Sequence, residues 1–590
     1  MNTRRQFVQN LSMALAAAPI MSGTTYANKK DNMQLITPDM DEAMTTADIL
    51  IEKLIAWKVE IIFGVIGDGI NYIIEAIRNR DDKIKLITTR HEEAAAFMAS
   101  GYAKFTGRLS ACIATTGPGA VHLMNGIYDA AMEGAPVIAI TGSVFHDLLG
   151  THFTQEVDTV SLMKDATVFN RMISGPRHAL TIVDLACRTA LTAKGVAHLT
   201  VAKDVQHKPL SEDKPSKDSE NLVGSSTFFP RTETPNDDEL NQAAALLNSA
   251  SKITIMAGRG ALMARDEIIQ AAEKLGAPVA KPLLGKALLP DDSPYTTGGT
   301  GHLGTMPSKE MMQECEVLLI LGSNMPHLDY YPKVGTAKAI QVDCDPKRIG
   351  LRFPIDIGLT GDVKTTLQAL LPKLKYHSER SFLQLAQQRM KDWRTKLSQI
   401  EGRQSTPIKP PYLVAQASKL LNDDALVSID TGAHTVFTAR HLQIQANQKV
   451  VACGNLASMA PGLSYAISGA LAYPGRQSVA FVGDGGFTML MGEIATAVMY
   501  KLPVKIIIFK NGQLSMDRFE QEEMGNKDYG IWLQPIDFAK VAQACGAEGY
   551  SVSKPEDVAP TLKTAFATNM PAVIEVIVDP DEEPAPPDKL

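Results

Sequence analysis

Short runs of apolar and β-branched residues recur along the chain, each followed by a stretch with helical spacing, and this alternation leaves few folds open. Ile61-Ile62-Phe63-Gly64-Val65 is the first run, and residues 84–88, 109–115, 137–141 and 197–202 repeat it. Strands this uniformly apolar need cover on both faces, which helices alternating with the strands of a parallel sheet provide. Residues 46–58, opened by a threonine, have the spacing of an amphipathic helix. The same style returns at 253–257, 317–321 and 340–342, and again at 426–429, 479–482, 504–509 and 573–578. Between these groups lie a Lys-, Ser-, Asp- and Pro-rich stretch, 209–238, and a polar helical connection, 373–411. At 590 residues the chain exceeds a single core of ~250–300 residues. The expected fold class is therefore α/β, with three doubly wound parallel-sheet domains over residues 40–215, 235–372 and 410–580. The proline-rich, acidic end, 581–590, is expected to fray.

Composition excludes several alternatives. The net charge of −7 gives no electrostatic reason for nucleic-acid binding. Six cysteines lie scattered with no CxxC pair, which suggests neither a zinc site nor a disulfide framework. The first 27 residues differ from the rest. Thr3-Arg4-Arg5-Gln6-Phe7-Val8 is a twin-arginine pattern, a weakly apolar stretch follows, and Thr25-Tyr26-Ala27 has the small residues of a cleavage site. Residues 1–27 thus read as an export signal of the twin-arginine type, implying a periplasmic or cell-envelope protein, or a cytoplasmic one if the signal is unused. Nothing else reaches the ~18 uninterrupted apolar residues of a transmembrane segment.

The most informative local pattern is Val482-Gly483-Asp484-Gly485-Gly486, an apolar strand running into a glycine-rich turn with one carboxylate. A helix is expected over 487–500, then a strand that ends at Lys510-Asn511-Gly512. In such a βαβ unit both strand ends open on the same sheet edge, where ligands of open α/β sheets bind. Asp484 and Asn511 can converge there as hard oxygen donors for Mg²⁺ bridging a diphosphate, with Gly485 and Gly486 allowing close backbone approach. A ligand-free tight turn is the alternative for the glycine motif taken alone.

The pair of motifs resembles that of thiamine-diphosphate enzymes, in which a GDG is followed about two dozen residues later by a paired Asn-Asn. Here Lys510 takes the first of those positions and Asn511 the second. The resemblance implies metal ligation by Asp484, Asn511 and the backbone oxygen of Gln513, with Leu514, Ser515 and Met516 beside the cofactor. Glu92, in Arg90-His91-Glu92-Glu93, reads from periodicity alone as an acid favoured by a helix N-terminus. By resemblance it is the carboxylate that activates the cofactor's pyrimidine ring. The match continues through Thr116-Gly117-Pro118-Gly119 and His122-Leu123-Met124-Asn125-Gly126. Ser458-Met459-Ala460 resembles the segment whose bulky residue, here Met459, wedges the cofactor into a bent shape. Asp430-Thr431-Gly432 resembles a loop at the diphosphate end.

Within that family the chain is most similar to pyruvate oxidases. Gly258-Arg259-Gly260, Gly301-His302-Leu303-Gly304, Asn324-Met325-Pro326 and Asp343 resemble stretches that contact FAD. Gln155 and Glu520 match positions near the substrate. Thr154 replaces a phenylalanine in the substrate region, and Met516 replaces an aromatic near the cofactor. The implied reaction is oxidative decarboxylation of pyruvate, a 2-oxo acid, to acetate or acetyl phosphate, with electrons passing through FAD to a quinone or O₂. The family also implies a homodimer or homotetramer, with Glu92 and the metal clamp contributed by different subunits. The alternatives are carboligation of the acetolactate-synthase type and a non-catalytic protein that keeps the cofactor fold.

Overall fold

The computed structural model describes residues 41–218, 222–230, 232–445 and 447–590. The twin-arginine segment lies outside them. The chain forms two compact units. The first comprises the described residues up to Phe228 with Ile467–Arg476 and Ala495–Leu502, and the second comprises the other described residues.

The first unit carries β1 (Ile61–Gly64), β2 (Lys85–Thr88), β3 (Ser110–Ala114), β4 (Val137–Ser143), β5 (Phe169–Ile173) and β6 (Val196–Ala202). They form one parallel sheet in the order β2-β1-β3-β4-β6-β5. Every residue of β3, β4 and β6 is buried, as expected for strands with helices on both faces. The helix Thr46–Ala56 starts where the Thr45 hydroxyl accepts the Asp48 N–H in a capping box, and it buries Ile49, Leu50 and Leu54. It also buries Lys53, whose Nζ donates to Asp184 Oδ2 at 2.8 Å. Trp57 Nε1 and Ser226 Oγ donate to the other oxygen of Asp184. With every oxygen and the ammonium partnered, this internal charge pair is tolerated; removing one member would leave an uncompensated charge.

The second unit holds two further parallel sheets. One contains β7 (Ile253–Ala257), β8 (Val279–Lys281), β9 (Thr296–Gly299), β10 (Val317–Leu321), β11 (Lys338–Asp343) and β12 (Ile357–Thr360), in the order β12-β11-β10-β7-β8-β9. The other contains β13 (Leu426–Ile429), β14 (Lys449–Ala452), β15 (Ser478–Gly483), β16 (Lys505–Lys510), β17 (Glu548–Val552) and β18 (Ala572–Ile577), in the order β14-β13-β15-β16-β18-β17. Each sheet has six strands, all parallel, and the expected α/β class with three doubly wound sheets is what the chain adopts.

Six strands, β5, β8, β9, β12, β14 and β17, are absent from the sequence-based expectation. Five of them are sheet edges. An edge strand has one side open and tolerates polar residues, so it lacks the continuous apolar run that marks a central strand. The sixth, β8, has only three residues. Two local expectations also change. The helix expected over 487–500 starts at Asp484 and runs as Asp484–Leu490, a 3₁₀ turn Met491–Glu493 and a second helix Ile494–Met499. The end of the chain is not frayed: Ala585 and Pro587 are buried, and Glu582 and Asp588 form ion pairs with Lys409 and Lys309.

Candidate active site

Each sheet reverses its strand order beside its first strand, and the C-terminal edge at that reversal is where an open α/β sheet leaves a crevice. In the third sheet the reversal falls between β13 and β15. The residues following those strands are Asp430-Thr431-Gly432 and Asp484-Gly485-Gly486. In the register, Gly483 pairs with Phe509, which sets Asp484 beside the end of β16. Asp484 Oδ2 accepts the N–H groups of Asn511 (3.1 Å) and Gly512 (2.7 Å), and Oδ1 accepts that of Gly485 (3.0 Å). The carboxylate is 6% exposed, and burial raises its pKa against the pull of these donors. Asn511 Oδ1 accepts the Gln513 N–H at 3.1 Å, and its Nδ2 donates to Ser515 Oγ. Two of the three expected metal ligands, Asp484 and Asn511, therefore meet, on a loop closed by short-range hydrogen bonds.

A cleft of about 580 Å³, part of it open to solvent, lies over this edge. Thr431, Met459, Asp484, Asn511, Leu514 and Met516 line it. Met459 approaches Gly485: a Cβ built there would lie 3.4 Å from the methionine methyl and 3.0 Å from Leu514 Cδ2, so a larger residue would press on both side chains. Ala460, at φ 91°, turns the chain away immediately after Met459. Glu520 stands on the helix Ser515–Glu523, one turn beyond Met516, and is exposed outside the cleft.

One residue of this cleft escapes sequence reasoning. His434, on the helix Ala433–His441, is 5% exposed, and its Nε2 has no hydrogen-bond partner. Burial drives its pKa down to about 3, so the ring is neutral. The neighbouring Asp430 accepts the Thr431 N–H at 2.8 Å, yet its Oδ2 has no partner and burial pushes its pKa up to about 7. The orphaned His434 Nε2, in a cleft also lined by the oxygen-bearing Asp484, Asn511 and Gln513, fits a bound metal–diphosphate group. Asn511 and Gln513 are the other residues that would hold it. The signal for His434 was its position four residues after Asp430, at the helix end facing the crevice.

In the first sheet the reversal lies between β1 and β3. Glu92 follows β2 and opens the helix Glu92–Thr106. Glu92 Oε2 lies 3.0 Å from His122 Nδ1, and the rings of His91 and His122 stack with centroids 4.6 Å apart. One ligand atom each of His91, Glu92 and His122 fall within 4.8 Å of one another. The Gly117–Gly119 turn brings Gln155 to the same edge. A Cβ on Gly119 would lie 3.4 Å from Glu92 Oε1, and one on Gly117 would lie 2.5 Å from the Gln155 carbonyl. Gln155 itself sits at φ 65°, a strained conformation for a side-chain-bearing residue.

In the middle sheet the reversal lies between β7 and β10. Gly258 and Gly260 follow β7, and Gly322 follows β10 at φ 55°. A Cβ on Gly258 would meet the Gly322 carbonyl at 2.7 Å, so glycine at both ends is what lets the strand ends approach. Asn324 Nδ2 reaches Asp343 Oδ2 at 3.4 Å, while its Oδ1 is buried without a partner. Met325 is buried beneath Gly301, and Arg440 donates to the His302 and Gly304 carbonyls at 3.0 and 2.9 Å, fixing that loop. The candidate flavin residues thus gather on one sheet edge, and Asn324 Oδ1 is an unsatisfied acceptor there.

Comparisons with known proteins agree with this geometry. Residues 44–162 match the N-terminal TPP binding domain of thiamine pyrophosphate enzymes, 240–370 the central domain, and 430–576 the C-terminal TPP binding domain. YdaP of Bacillus subtilis (strain 168), provisionally named a thiamine pyrophosphate-containing protein, is 38% identical over 542 residues, covering 92% of this chain and 93% of its own. A pyruvate oxidase of Lactiplantibacillus plantarum is 29% identical over 547 residues, 92% of this chain and 89% of its own. An acetolactate synthase of Mycobacterium bovis is 29% identical over 565 residues, with the same two coverages. With three family domains in order and relatives aligned over nearly their whole length, this chain belongs to the thiamine pyrophosphate enzymes.

Proposed function

We propose that this thiamine-diphosphate enzyme is an oxidoreductase of the pyruvate oxidase type. It would bind thiamine diphosphate with Mg²⁺ at Asp484, Asn511 and Gln513, and FAD along the Gly258–Gly322 edge. The observation that carries the reading is the clamp itself: a buried Asp484 that gathers the Asn511 loop at the mouth of the cleft beside Met459. FAD is supported by the glycine approach of β7 and β10 and the unsatisfied Asn324 oxygen.

Bound thiamine diphosphate supplies the nucleophilic carbon that cleaves 2-oxo acids. The protein's own contributions are binding, orientation and proton control. Glu92 is the group that would hold a proton against the pyrimidine ring, kept in place by His122 Nδ1 at 3.0 Å. Met459 would set the cofactor's bend. Gln155 would orient the substrate, its backbone held against Gly117. FAD, if held on the Gly258–Gly322 edge by residues such as Asn324, would supply the electron-accepting chemistry, with a quinone or O₂ as the final acceptor. Export by residues 1–27 belongs to the same proposal and is checked by sequencing the mature N-terminus, expected near Asn28.

The deciding experiment is an absorbance spectrum of the purified protein before and after anaerobic pyruvate. Flavin bands that bleach support the oxidase. Acetolactate formed without bleaching, and without reduction of added ferricyanide, would replace it with carboligation. Glu92→Gln should abolish pyruvate turnover while cofactor binding persists; undiminished turnover would remove Glu92 from its assigned role.

A further inference from the structure

The chain's last residues are held more firmly than their composition suggests. The Asp579 N–H donates to the Ile408 carbonyl at 2.8 Å, and Lys409 Nζ pairs with both Asp579 and Glu582. Arg403 also pairs with Glu582. Farther on, Asp588 pairs with Lys309 at 3.1 Å, and Lys396 donates to the carbonyl of Leu590. Pro584, Ala585 and Pro587 between these anchors are buried. The segment is thus tied down at both ends.

What it does in between concerns the clamp. Gln513 is 3% exposed, and its side-chain Nε2 donates to the Pro580 carbonyl at 2.7 Å. Arg518, on the helix Ser515–Glu523, donates to the same carbonyl at 3.3 Å and to Asp581 Oδ1 at 2.6 Å. It also reaches Gln513 Oε1 at 3.5 Å. The Asn511–Ser515 loop is otherwise held from two sides. Asp484 takes the Asn511 and Gly512 N–H groups, and residues 531–533 pair through Leu514 N to Ile531 O (2.8 Å) and Leu533 N to Gly512 O (2.9 Å). Gly512, at φ 72°, makes this a sharp turn without local stiffness. A loop of this kind keeps metal-ligand geometry only if its remaining side is fixed, because ligand precision depends on the groups behind the ligands.

We propose that the tail 579–590 is a positioning strap for the diphosphate clamp. Through the Pro580 carbonyl it fixes Gln513, and through Pro580 and Asp581 it fixes Arg518. The strap thereby sets the backbone that presents Asn511 and Gln513, and the first turn of the helix that brings Met516 to the cleft. Asp579 and Glu582 of the tail also line the cleft; the role proposed for the tail is the indirect one, exerted through Pro580 and Asp581 on Gln513 and Arg518. The proposal rests on the clamp reading given above.

The test measures binding of Mg²⁺ with thiamine diphosphate to cofactor-stripped full-length protein by calorimetry, with far-UV circular dichroism and the melting midpoint as fold controls. Removing residues 580–590, or substituting Arg518→Met, should weaken binding at least tenfold while the spectrum of the stripped protein is unchanged. Arg518→Lys, which still donates to Pro580, should recover most of the affinity. Binding within twofold of the parent in a folded Arg518→Met protein and in the truncated one overturns the strap. If the truncated chain does not fold, Arg518→Met decides alone on the same criterion. Asp484→Asn separates the two ideas. Impaired binding there with normal binding in the strap variants refutes only the strap. Normal binding in Asp484→Asn refutes the clamp reading and the strap with it.

Discussion

Asp484 sits where three backbone N–H groups pull against the burial that raises its pKa. Replacing it with asparagine keeps the shape and removes the charge. Asp484→Asn should therefore weaken Mg²⁺ by at least the roughly 10–100-fold that losing a metal ligand's own partner costs, measured by titration of the stripped protein. His198 illustrates a different residue-scale effect. It is fully buried in β6, bonded to Thr141 Oγ1 at 2.8 Å and Asn170 Oδ1 at 2.7 Å, and burial lowers its pKa to about 3. The unfolded chain protonates this histidine near pH 6.5 while the folded chain does not, so it contributes stability above that pH that is lost as pH falls from about 6.5 towards 3. A single proton corresponds to a slope of about 1.4 kcal/mol per pH unit. Urea unfolding of His198→Gln should show a pH dependence flatter by up to that slope in this window.

At the scale of elements, each candidate residue depends on a strand end. The central strands were legible because helices cover both their faces, so their runs are apolar throughout. Edge strands such as β5, with Arg171 exposed in its middle, carry no such run. The glycine-rich turn at 483–486 and Asn511 were legible too, because one βα step places both at one sheet edge. His434 was not, since a histidine near a helix start is ordinary, and beyond its spacing from Asp430 only burial with an unpartnered Nε2 marks it. The β7–β10 approach gives an element-scale prediction. Gly322→Ala forces a side chain into φ 55° with its Cβ 2.6 Å from Gly260 Cα. It should cost roughly 1–3 kcal/mol, read as a lowered urea midpoint, and should release flavin if the proposal for that edge holds.

At the scale of the molecule, two compact units each carry part of the proposed machinery, Glu92 with Gln155 in one and the clamp in the other. The resemblance implies that the two parts of one site come from different subunits, an expectation that complementation tests directly. Glu92→Gln and Asp484→Asn should each be inactive alone. Refolded together in equal amounts, random dimers should regain about a quarter of parental activity, because half the dimers are mixed and each mixed dimer has one intact site. No recovery on mixing would assign both parts to one subunit. The described residues contain no helix long and apolar enough to cross a membrane.

Sequence alone determined the architecture and the cofactor. Strand–helix alternation points to covered parallel sheets, a carboxylate at one strand end and an amide at the next share one sheet edge, and the resemblance of those motifs supplied thiamine diphosphate. Tertiary structure decided what sequence spacing cannot encode. It desolvated His434 and Asp430 together, folded the chain's end against Gln513 and Arg518, and closed Gly258 on Gly322. Those contacts join residues far apart in the chain, and their energies arise from burial and partner geometry, which exist only once the sheets have packed.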